Sequence, residues 1–279
     1  LTVLVELALS VAVFIGYASE RDGPQLVDRI EGWIPFADLS GKTGSQVQYF
    51  LGVDGLSAPL ILLTAIIGFA SVVASWSVQH RVREYFFWLL VLQTAVMGVF
   101  TALDFLLFFL FWEIELIPMY FLISIWGSGR KEYSAMKFLV FTFLGSAFML
   151  VGILCLFFST GTFDMTALPS AIVENELILP GSVVFTLLFV AFAVKLPVWP
   201  LHTWLPDAHT DAPTAVSVML AGVLLKMGGY GMIRVTGHMF PDVIVEMSWI
   251  LVTLGVVNVL YGAIVTLRQT DLKRLVAFS

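Results

Sequence analysis

Three ionisable residues lie deep within apolar runs of the 279-residue sequence: Glu113, Lys195 and Lys226. A charged side chain at the centre of a bilayer costs roughly 2.5–3.5 kcal/mol, so such residues usually face a protein interior and mark ion or proton paths. At a rise of about 1.5 Å per helical residue, the three fall within about one turn of a common layer. This arrangement predicts a site that moves protons or cations across a membrane.

A simpler interpretation is a buried Glu–Lys pair that only holds two helices together. Buried ion pairs are often neutral or costly for stability, and one such lock needs neither a second lysine nor the second carboxylate of Glu115. Glu113 and Glu115 are two positions apart, which on a regular helix places them on nearly opposite faces. We therefore expect at most one of them to share the lysine cluster, and Glu115 is a candidate relay. Pro118 opposes the carbonyl of Ile114 and predicts a kink beside Glu113.

The segment "FAVKLPVWPLHTWLPDAHTDAP" (192–213) places four prolines behind Lys195. Proline cannot continue a regular helix, and a broken helix in lipid is tolerated only where protein or a water-filled cavity satisfies the freed backbone groups. We predict a discontinuous helix beside Lys195, as in the ion sites of transporters. His202, His209 and Asp207 follow in the break as candidate proton relays. For the histidines, hydrogen bonding to the freed carbonyls is an equal alternative.

Neither a metal site nor a cofactor site is predicted. The prolines spoil the register that would bring His202 and His209 onto one metal ion with a third ligand. No haem, flavin, nucleotide or iron–sulfur signature occurs in the sequence. Most Phe and Trp residues are expected to face lipid or to anchor the interfaces. The stretch "KMGGYG" (226–231) offers small residues for a close helix approach.

The composition identifies the elements that must position these charges. Hydrophobic residues make up 59% of the chain and charged residues only 12%, against about 25% charged in soluble domains. Apolar runs long enough to cross roughly 30 Å of hydrocarbon recur along the sequence, and in lipid such runs must be helices. We predict an all-α polytopic membrane protein with about eight transmembrane spans and one long loop, 19–57. The spans lie near 1–18, 58–79, 85–103, 104–126, 135–159, 181–197, 214–235 and 247–267.

Loop charge predicts the orientation of these spans. Basic residues occupy alternate loops: Arg81 and Arg83, then Arg130 and Lys131, then Arg268, Lys273 and Arg274. The positive-inside rule places these loops in the cytoplasm and the acidic or mixed loops outside. The topology closes only if 198–213 returns the chain to the cytoplasmic side. The net charge of −6 and the absence of a basic stripe in the sequence give no indication of a nucleic-acid partner.

Three long segments carry a resemblance to a known family. They are "FWEIELIPMYFLISIWG" (111–127), "FAVKLPVWPLHTWLPDAHTDAPTAVSVMLAGVLLKMGGYGMIR" (192–234) and "DLKRLVAFS" (271–279). Together they resemble the antiporter-like membrane subunits of respiratory complex I. The M-type branch (NuoM, or NdhD in photosynthetic complexes) is the most similar, and this family is related to the Mrp cation/proton antiporters.

The resemblance implies a fold of about fourteen helices with two inverted five-helix repeats, each containing one broken helix. Residues 1–279 would form a single transmembrane domain and a fragment of the whole subunit. The first repeat would be 85–235, and 247–279 would begin a truncated second one. By resemblance, Glu113, Lys195 and Lys226 match the family's proton-transfer residues, while Glu115 has no assigned role.

The implied function is proton translocation by a subunit of a type I NADH:quinone oxidoreductase in a bacterial plasma or thylakoid membrane. The subunit would be part of a translocase and have no redox centre of its own. NADH, FMN, iron–sulfur clusters and quinone would belong to partner subunits, and the partners would be neighbouring membrane subunits and the lipid bilayer. The alternatives are a Na⁺/H⁺ antiporter of Mrp type, a membrane-bound hydrogenase subunit and a passive scaffold.

Overall fold

The structure, a computed structural model, describes residues 1–17, 23–34 and 47–279. Among these residues, six helices are long and apolar enough to cross a membrane, and two shorter apolar helices accompany them. The six are Ser57–Ala74, Val82–Thr101, Phe105–Trp126, Lys131–Thr160, Thr214–Gly237 and Pro241–Leu267, and the shorter two are Thr2–Gly16 and Gly181–Lys195. Each predicted span coincides with one of these helices, so the helical membrane fold is confirmed.

The helices are numbered in chain order. The first eight are α1 (Thr2–Gly16), α2 (Ser57–Ala74), α3 (Val82–Thr101), α4 (Phe105–Ile114), α5 (Leu116–Trp126), α6 (Lys131–Thr160), α7 (Leu168–Glu174) and α8 (Gly181–Lys195). The others are α9 (Leu205–Asp211), α10 (Thr214–Met219), α11 (Leu225–Gly231), α12 (Pro241–Leu267) and α13 (Leu272–Phe278). The π-helical segment Leu220–Leu224 joins α10 to α11, and a second one, Met232–Gly237, continues α11. Together they form one continuous post-break helix, Thr214–Gly237.

The long loop predicted at 19–57 contains an antiparallel pair of strands, β1 (Gln25–Ile34) and β2 (Val47–Val53). The sequence predicts the long connection between the first two spans but not these strands. Most side chains of β1 are exposed on both faces, so the strand lacks the alternation of polar and apolar residues that reveals a half-buried strand. The backbone N–H of Leu103 donates to the carbonyl of Phe50 over 2.9 Å, which joins the strand pair to the link between α3 and α4.

Contacts between loops show which loops lie at the same end of the helix bundle. The grouping agrees with the one predicted from loop charge. At one end the indole of Trp126 donates to the carbonyl of His80 over 2.7 Å. There, too, the N–H of Ser128 donates to the carbonyl of Asp211 over 2.8 Å, and Lys273 donates to that of Ala212 over 2.9 Å. This basic end, here called the cytoplasmic end, includes the segment after the broken helix. The strand pair marks the opposite, outer end.

Close packing of α6 against α8 fixes the position of the broken helix. The glycines of α6 lie directly against α8 side chains: a Cβ built on Gly152 would come within 2.8 Å of Leu188, and one on Gly145 within 3.1 Å of Val194. The two helices can therefore approach closely only because these positions lack a side chain. By contrast, α12 has no buried residue and lies at the periphery of the bundle.

Candidate functional site

The fourth predicted span is interrupted at Glu115, between the end of α4 and the start of α5. Pro118 explains the interruption, because it has no N–H to donate to the carbonyl of Ile114 and its ring crowds that carbonyl. The interruption lies two residues beyond Glu113, next to the position where the sequence predicts a kink. Glu115 itself keeps right-handed helical backbone angles (φ −68°, ψ −21°), so the interruption is local and Phe105–Trp126 remains one span.

Lys195 is the last residue of α8 and only 1% of its side chain is exposed. Its ammonium group forms an ion pair with the carboxylate of Glu115, which is fully buried. The negative end of the helix dipole also favours a cation at this C-terminus. The rings of Trp112 and Phe138 lie 5.4 and 5.6 Å from Nζ, close enough for cation–π attraction. The two rings and Lys195 are here called the aromatic box. These rings face the lysine, whereas most aromatic residues are expected to face lipid.

Glu113 approaches the same lysine from a different direction. It interacts electrostatically with Lys195 and lies within hydrogen-bonding reach of Ser146 on α6. The structure therefore brings both carboxylates to Lys195, and the prediction that at most one would share its surroundings is wrong. The opposite-face argument considers direct contact alone, which Glu115 makes, whereas Glu113 acts on Lys195 through the longer-range attraction of its charge.

The discontinuous helix predicted after Lys195 is present. The α8 helix ends there, and α9 begins only at Leu205. The indole of Trp204 donates to the freed carbonyl of Val194 over 2.9 Å, and the N–H of Val198 donates to the carbonyl of Ala193 over 2.9 Å. Trp204, which sequence reasoning missed, satisfies the break together with the backbone. A tryptophan shortly after helix-ending prolines was the available signal.

The two histidines occupy different surroundings in the break. The ring of His202 packs edge-on against Tyr261 at 5.1 Å and lines a cleft described below. His209 is buried in α9, where its backbone carbonyl accepts from the Ser217 hydroxyl over 2.9 Å. Within the part of the chain that the structure describes, Nδ1 of each imidazole is buried without a hydrogen-bond partner. These Nδ1 atoms therefore do not satisfy the freed carbonyls.

Asp207 pairs with two basic residues and makes no ion pair with Lys195 among the described residues. Its carboxylate accepts from Lys137 of α6 over 2.7 Å and from Arg274 of α13 over 2.8 Å. In the same turn, Asp211 accepts from the Ser134 hydroxyl over 2.6 Å. These contacts fasten the short α9 helix to both neighbours and so fix the segment that carries His209.

Lys226 lies one helix away from the box, in the post-break helix. It lines a cleft of about 1090 Å³ together with His202, Tyr230 and Asn258, and its Nζ donates to the carbonyl of Ala221. A Cβ built on Gly228 would come within 2.7 Å of the backbone nitrogen of Leu196, so the post-break helix touches the end of α8. The two lysines thus share one depth, Lys195 in the box and Lys226 in the cleft.

The described residues contain no group of three or more His, Cys, Asp or Glu side chains placed to hold a metal ion. The arrangement instead offers titratable groups at one depth, with a broken helix and a cleft beside them.

Two sequence families match this chain. Residues 102–279 match the family described as NADH:quinone oxidoreductase/Mrp antiporter, transmembrane, and residues 36–99 match NADH-ubiquinone oxidoreductase chain 4, amino terminus. The chain belongs to the NADH:quinone oxidoreductase/Mrp antiporter family.

Relatives of this family include two cyanobacterial NAD(P)H-quinone oxidoreductase chain 4 proteins. One, from Thermosynechococcus vestitus, is 42% identical over 277 residues, covering 99% of this chain and 50% of the relative. Another, from Synechococcus sp. (strain JA-2-3B'a(2-13)), is 44% identical over 275 residues, covering 98% of this chain and 50% of the relative. The chain therefore spans about half the length of these relatives. They support the antiporter-like M type and a multi-pass membrane location in a bacterial plasma or thylakoid membrane.

Two solved structures share this fold. Respiratory complex I from Thermus thermophilus with bound NADH contains a chain that matches with a TM-score of 0.85 at 27% identity, covering 99% of this chain and 56% of the other. A chain of the membrane-bound sulfane sulfur reductase, an archaeal respiratory membrane complex, matches with a TM-score of 0.83 at 24% identity, covering 99% and 55%. The second likeness supports the fold alone.

Proposed function

We propose that this chain belongs to a proton-translocating membrane subunit of a type I NADH:quinone oxidoreductase. The observation that carries the proposal is the buried cluster of Lys195 with Glu115 and Glu113 at the break of α8. Family membership supports the assignment, since relatives are NAD(P)H-quinone oxidoreductase chains. An ion pair with an additional carboxylate beside it can hold or release a proton, whereas a simple lock would need only the pair.

The cluster can change its charge by one proton within a buried volume. With Lys195 protonated and Glu115 ionised, the pair is neutral, and the protonation of Glu113 sets the net charge between −1 and 0. Separation of Glu115 from Lys195 would leave a buried cation without its contacting carboxylate, which favours loss of its proton. A shift of α5 relative to α8 would therefore move a proton toward the next titratable group, and Lys226 lies at the same depth to receive it.

Protons would reach the cluster from the cytoplasmic end through the break, with His202 and His209 as relays. Asp207 would position this segment rather than carry the proton, because both of its charge partners hold it at the cytoplasmic end. We also propose that 85–235 is one five-helix repeat and that 247–279 begins a second.

Electron transfer would take place in partner subunits, which would hold NADH, FMN, iron–sulfur clusters and quinone. This chain would have no redox centre and would respond to quinone reduction through its contacts with neighbouring membrane subunits. Its own residues would hold and move protons while the aromatic box excludes water.

The deciding experiment replaces Lys195 with Ala in the full-length subunit within its complex. Proton uptake and quinone reduction are measured side by side in membrane vesicles. We expect proton uptake to fall below about a tenth of the wild-type value while the complex still assembles. Lys131→Ala is the matched control, because the Lys131 ammonium donates to the carbonyl of Ile125 over 2.8 Å at the cytoplasmic end, away from the cluster. Wild-type uptake and wild-type electron transfer in Lys195→Ala would overturn the proposal.

A further inference from the structure

A second charged group lies at the outer end of the post-break helix. The guanidinium of Arg234 forms an ion pair with Asp54, and only 16% and 21% of their side chains are exposed. The other oxygen of Asp54 accepts from the backbone N–H groups of Leu56 and Ser57 over 3.1 and 2.9 Å. Both oxygens of this carboxylate are therefore occupied, and the carboxylate is fixed at the start of α2.

Tyr230 lies one helical turn below Arg234 and holds it from the inner side. Its hydroxyl accepts from Nε of Arg234 over 3.1 Å and lies 3.5 Å from the carbonyl of Phe100 on α3. The guanidinium carbon is 5.3 Å from the tyrosine ring centroid. Phe100 and Phe108 pack against the same ring at 5.2 and 6.4 Å. The guanidinium is thus held by α2, by its own helix and, through Tyr230, by α3.

Lys226, Tyr230 and Arg234 follow one another at intervals of four residues. This spacing places them along one face of the helix, about 12 Å from the first to the last. Lys226 and Tyr230 line the cleft, together with Leu56 from α2. Arg234 and Asp54 are absent from its lining and lie just beyond Tyr230 and Leu56. The ion pair therefore lies next to the outer end of the cleft that contains Lys226.

We propose that Arg234, fixed by Asp54 and Tyr230, is an electrostatic seal that stops a proton at Lys226 from leaving through the outer face of this half. A guanidinium stays charged in proteins and has no acceptor atom, so it cannot pass a proton on. A fixed cation of this kind repels protons in narrow pores. Asp54 cannot readily accept a proton either, because two N–H groups and the guanidinium use both its oxygens. The inference rests on the proposed function of Lys226.

The competing explanation is that the Arg234–Asp54 ion pair only holds α2 against the post-break helix. A second ion pair at the outer end serves as a control that separates this explanation from the seal. Arg29 and Asp164 form another ion pair at the outer end, at 3.1 Å, where the Asp164 carboxylate also accepts backbone N–H groups. Replacing each pair by Gln and Asn removes both charges together, so neither change leaves a bare charge behind. Of the two double changes, only Arg234→Gln/Asp54→Asn removes the charges beside the outer end of the cleft that contains Lys226.

The experiment measures passive proton leak in proteoliposomes of the purified whole complex, without electron donor, with a pH dye trapped inside. Arg234→Gln/Asp54→Asn should dissipate an imposed pH gradient at least about threefold faster than wild type. Arg29→Gln/Asp164→Asn should match wild type. Adding Lys226→Ala to the leaky variant should return the leak to the wild-type rate. A wild-type rate in the assembled Arg234→Gln/Asp54→Asn complex would overturn the seal, as would a leak that persists after Lys226→Ala.

A second variant, Arg234→His, tests the charge within one assembled protein. An imidazole ordinarily titrates near about 6.5, so the leak should rise reversibly as the pH increases from about 6 to about 8. The same pH dependence as wild type would overturn the seal. The proposed function is decided separately by proton uptake during electron transfer in Lys195→Ala, so its failure and the failure of the seal are seen in different measurements.

Discussion

The ammonium of Lys195 and the carboxylate of Glu115 meet where two helix interruptions face each other. The α8 helix ends at Lys195, and Glu115 separates α4 from α5. Both side chains are essentially inaccessible, at 1% and 0% exposed. Each interruption thus presents a charged residue to the other, and their attraction offsets part of the cost of burying two charges.

Replacing Glu115 with Gln should destabilise the assembled complex. Lys195 would then be a buried cation without its contacting counter-charge, and breaking a buried pair in this way costs roughly 3–5 kcal/mol. Thermal unfolding of the detergent-solubilised complex measures the change, and proton uptake in vesicles should fall with it.

The double variant Glu115→Gln/Lys195→Met separates stability from function. Removing both charges should restore most of the lost stability, because a neutral pair of similar volume avoids the large cost of burying an unpaired charge. Proton uptake should stay low, since the titratable lysine is gone. Recovery of uptake together with stability would show that the pair is only structural.

Replacing Asp207 with Asn should loosen the cytoplasmic end of the broken helix. The change removes the ion pairs to Lys137 and Arg274 and should cost about 1–3 kcal/mol of local stability. Hydrogen exchange of the α9 and α13 amides should become faster. Arg81→Gln serves as the control: its ion pair with Glu84 is 47% and 49% exposed, and exposed pairs contribute little. Equal exchange in both variants would contradict the positioning role of Asp207.

The outer end should become less stable as the pH rises, because of Asp104 in the link between α3 and α4. Burial raises the pKa of the Asp104 carboxyl from 3.8 to about 6, against the lowering effect of hydrogen bonds from the N–H groups of Leu107, Gln48 and Leu106. A raised folded-state pKa stabilises the protonated fold, so the contribution is complete below about 3.8 and is lost as the pH rises through about 6. Its upper bound is roughly 3 kcal/mol, at about 1.4 kcal/mol per pKa unit.

Amide hydrogen exchange of Gln48 and Leu107 measures this effect at about pH 5 and pH 7, after correction for intrinsic rates. Protection should be higher at the lower pH, and Asp104→Asn should abolish the difference. The same protection at both pH values in the wild-type chain would be incompatible with a raised pKa.

Two adjacent glycines in the post-break helix should respond differently to alanine. A Cβ on Gly228 would overlap the end of α8, at 2.7 Å from the nitrogen of Leu196 and 2.8 Å from the carbonyl of Phe192, whereas a Cβ on Gly229 has its nearest contact at 3.9 Å. Gly228→Ala should destabilise the complex by about 1–3 kcal/mol and reduce proton uptake. Gly229→Ala should be tolerated. Comparable unfolding temperatures for the two variants would contradict the close approach.

Several features could be read from the sequence because local chemistry determines them. The prolines after Lys195 end a helix wherever the chain lies, and the apolar runs must be helical in lipid. The sorting of Arg and Lys among loops likewise indicated the two ends. The strand pair escaped prediction, because its hydrogen bonds join residues far apart in sequence and β1 has little buried surface to produce a pattern.

The sequence by itself determined the membrane class, the spans, the break beside Lys195 and the three charges that share one depth, since hydropathy, proline chemistry and the rise of a helix are properties of short segments. Only the tertiary structure decided that Glu115 contacts Lys195, that Trp204 satisfies the break, and that Arg234 pairs with Asp54. Contacts such as the Arg234–Asp54 ion pair depend on how each helix is rotated against its neighbours. That rotation is set by packing between segments many residues apart, which no local pattern contains.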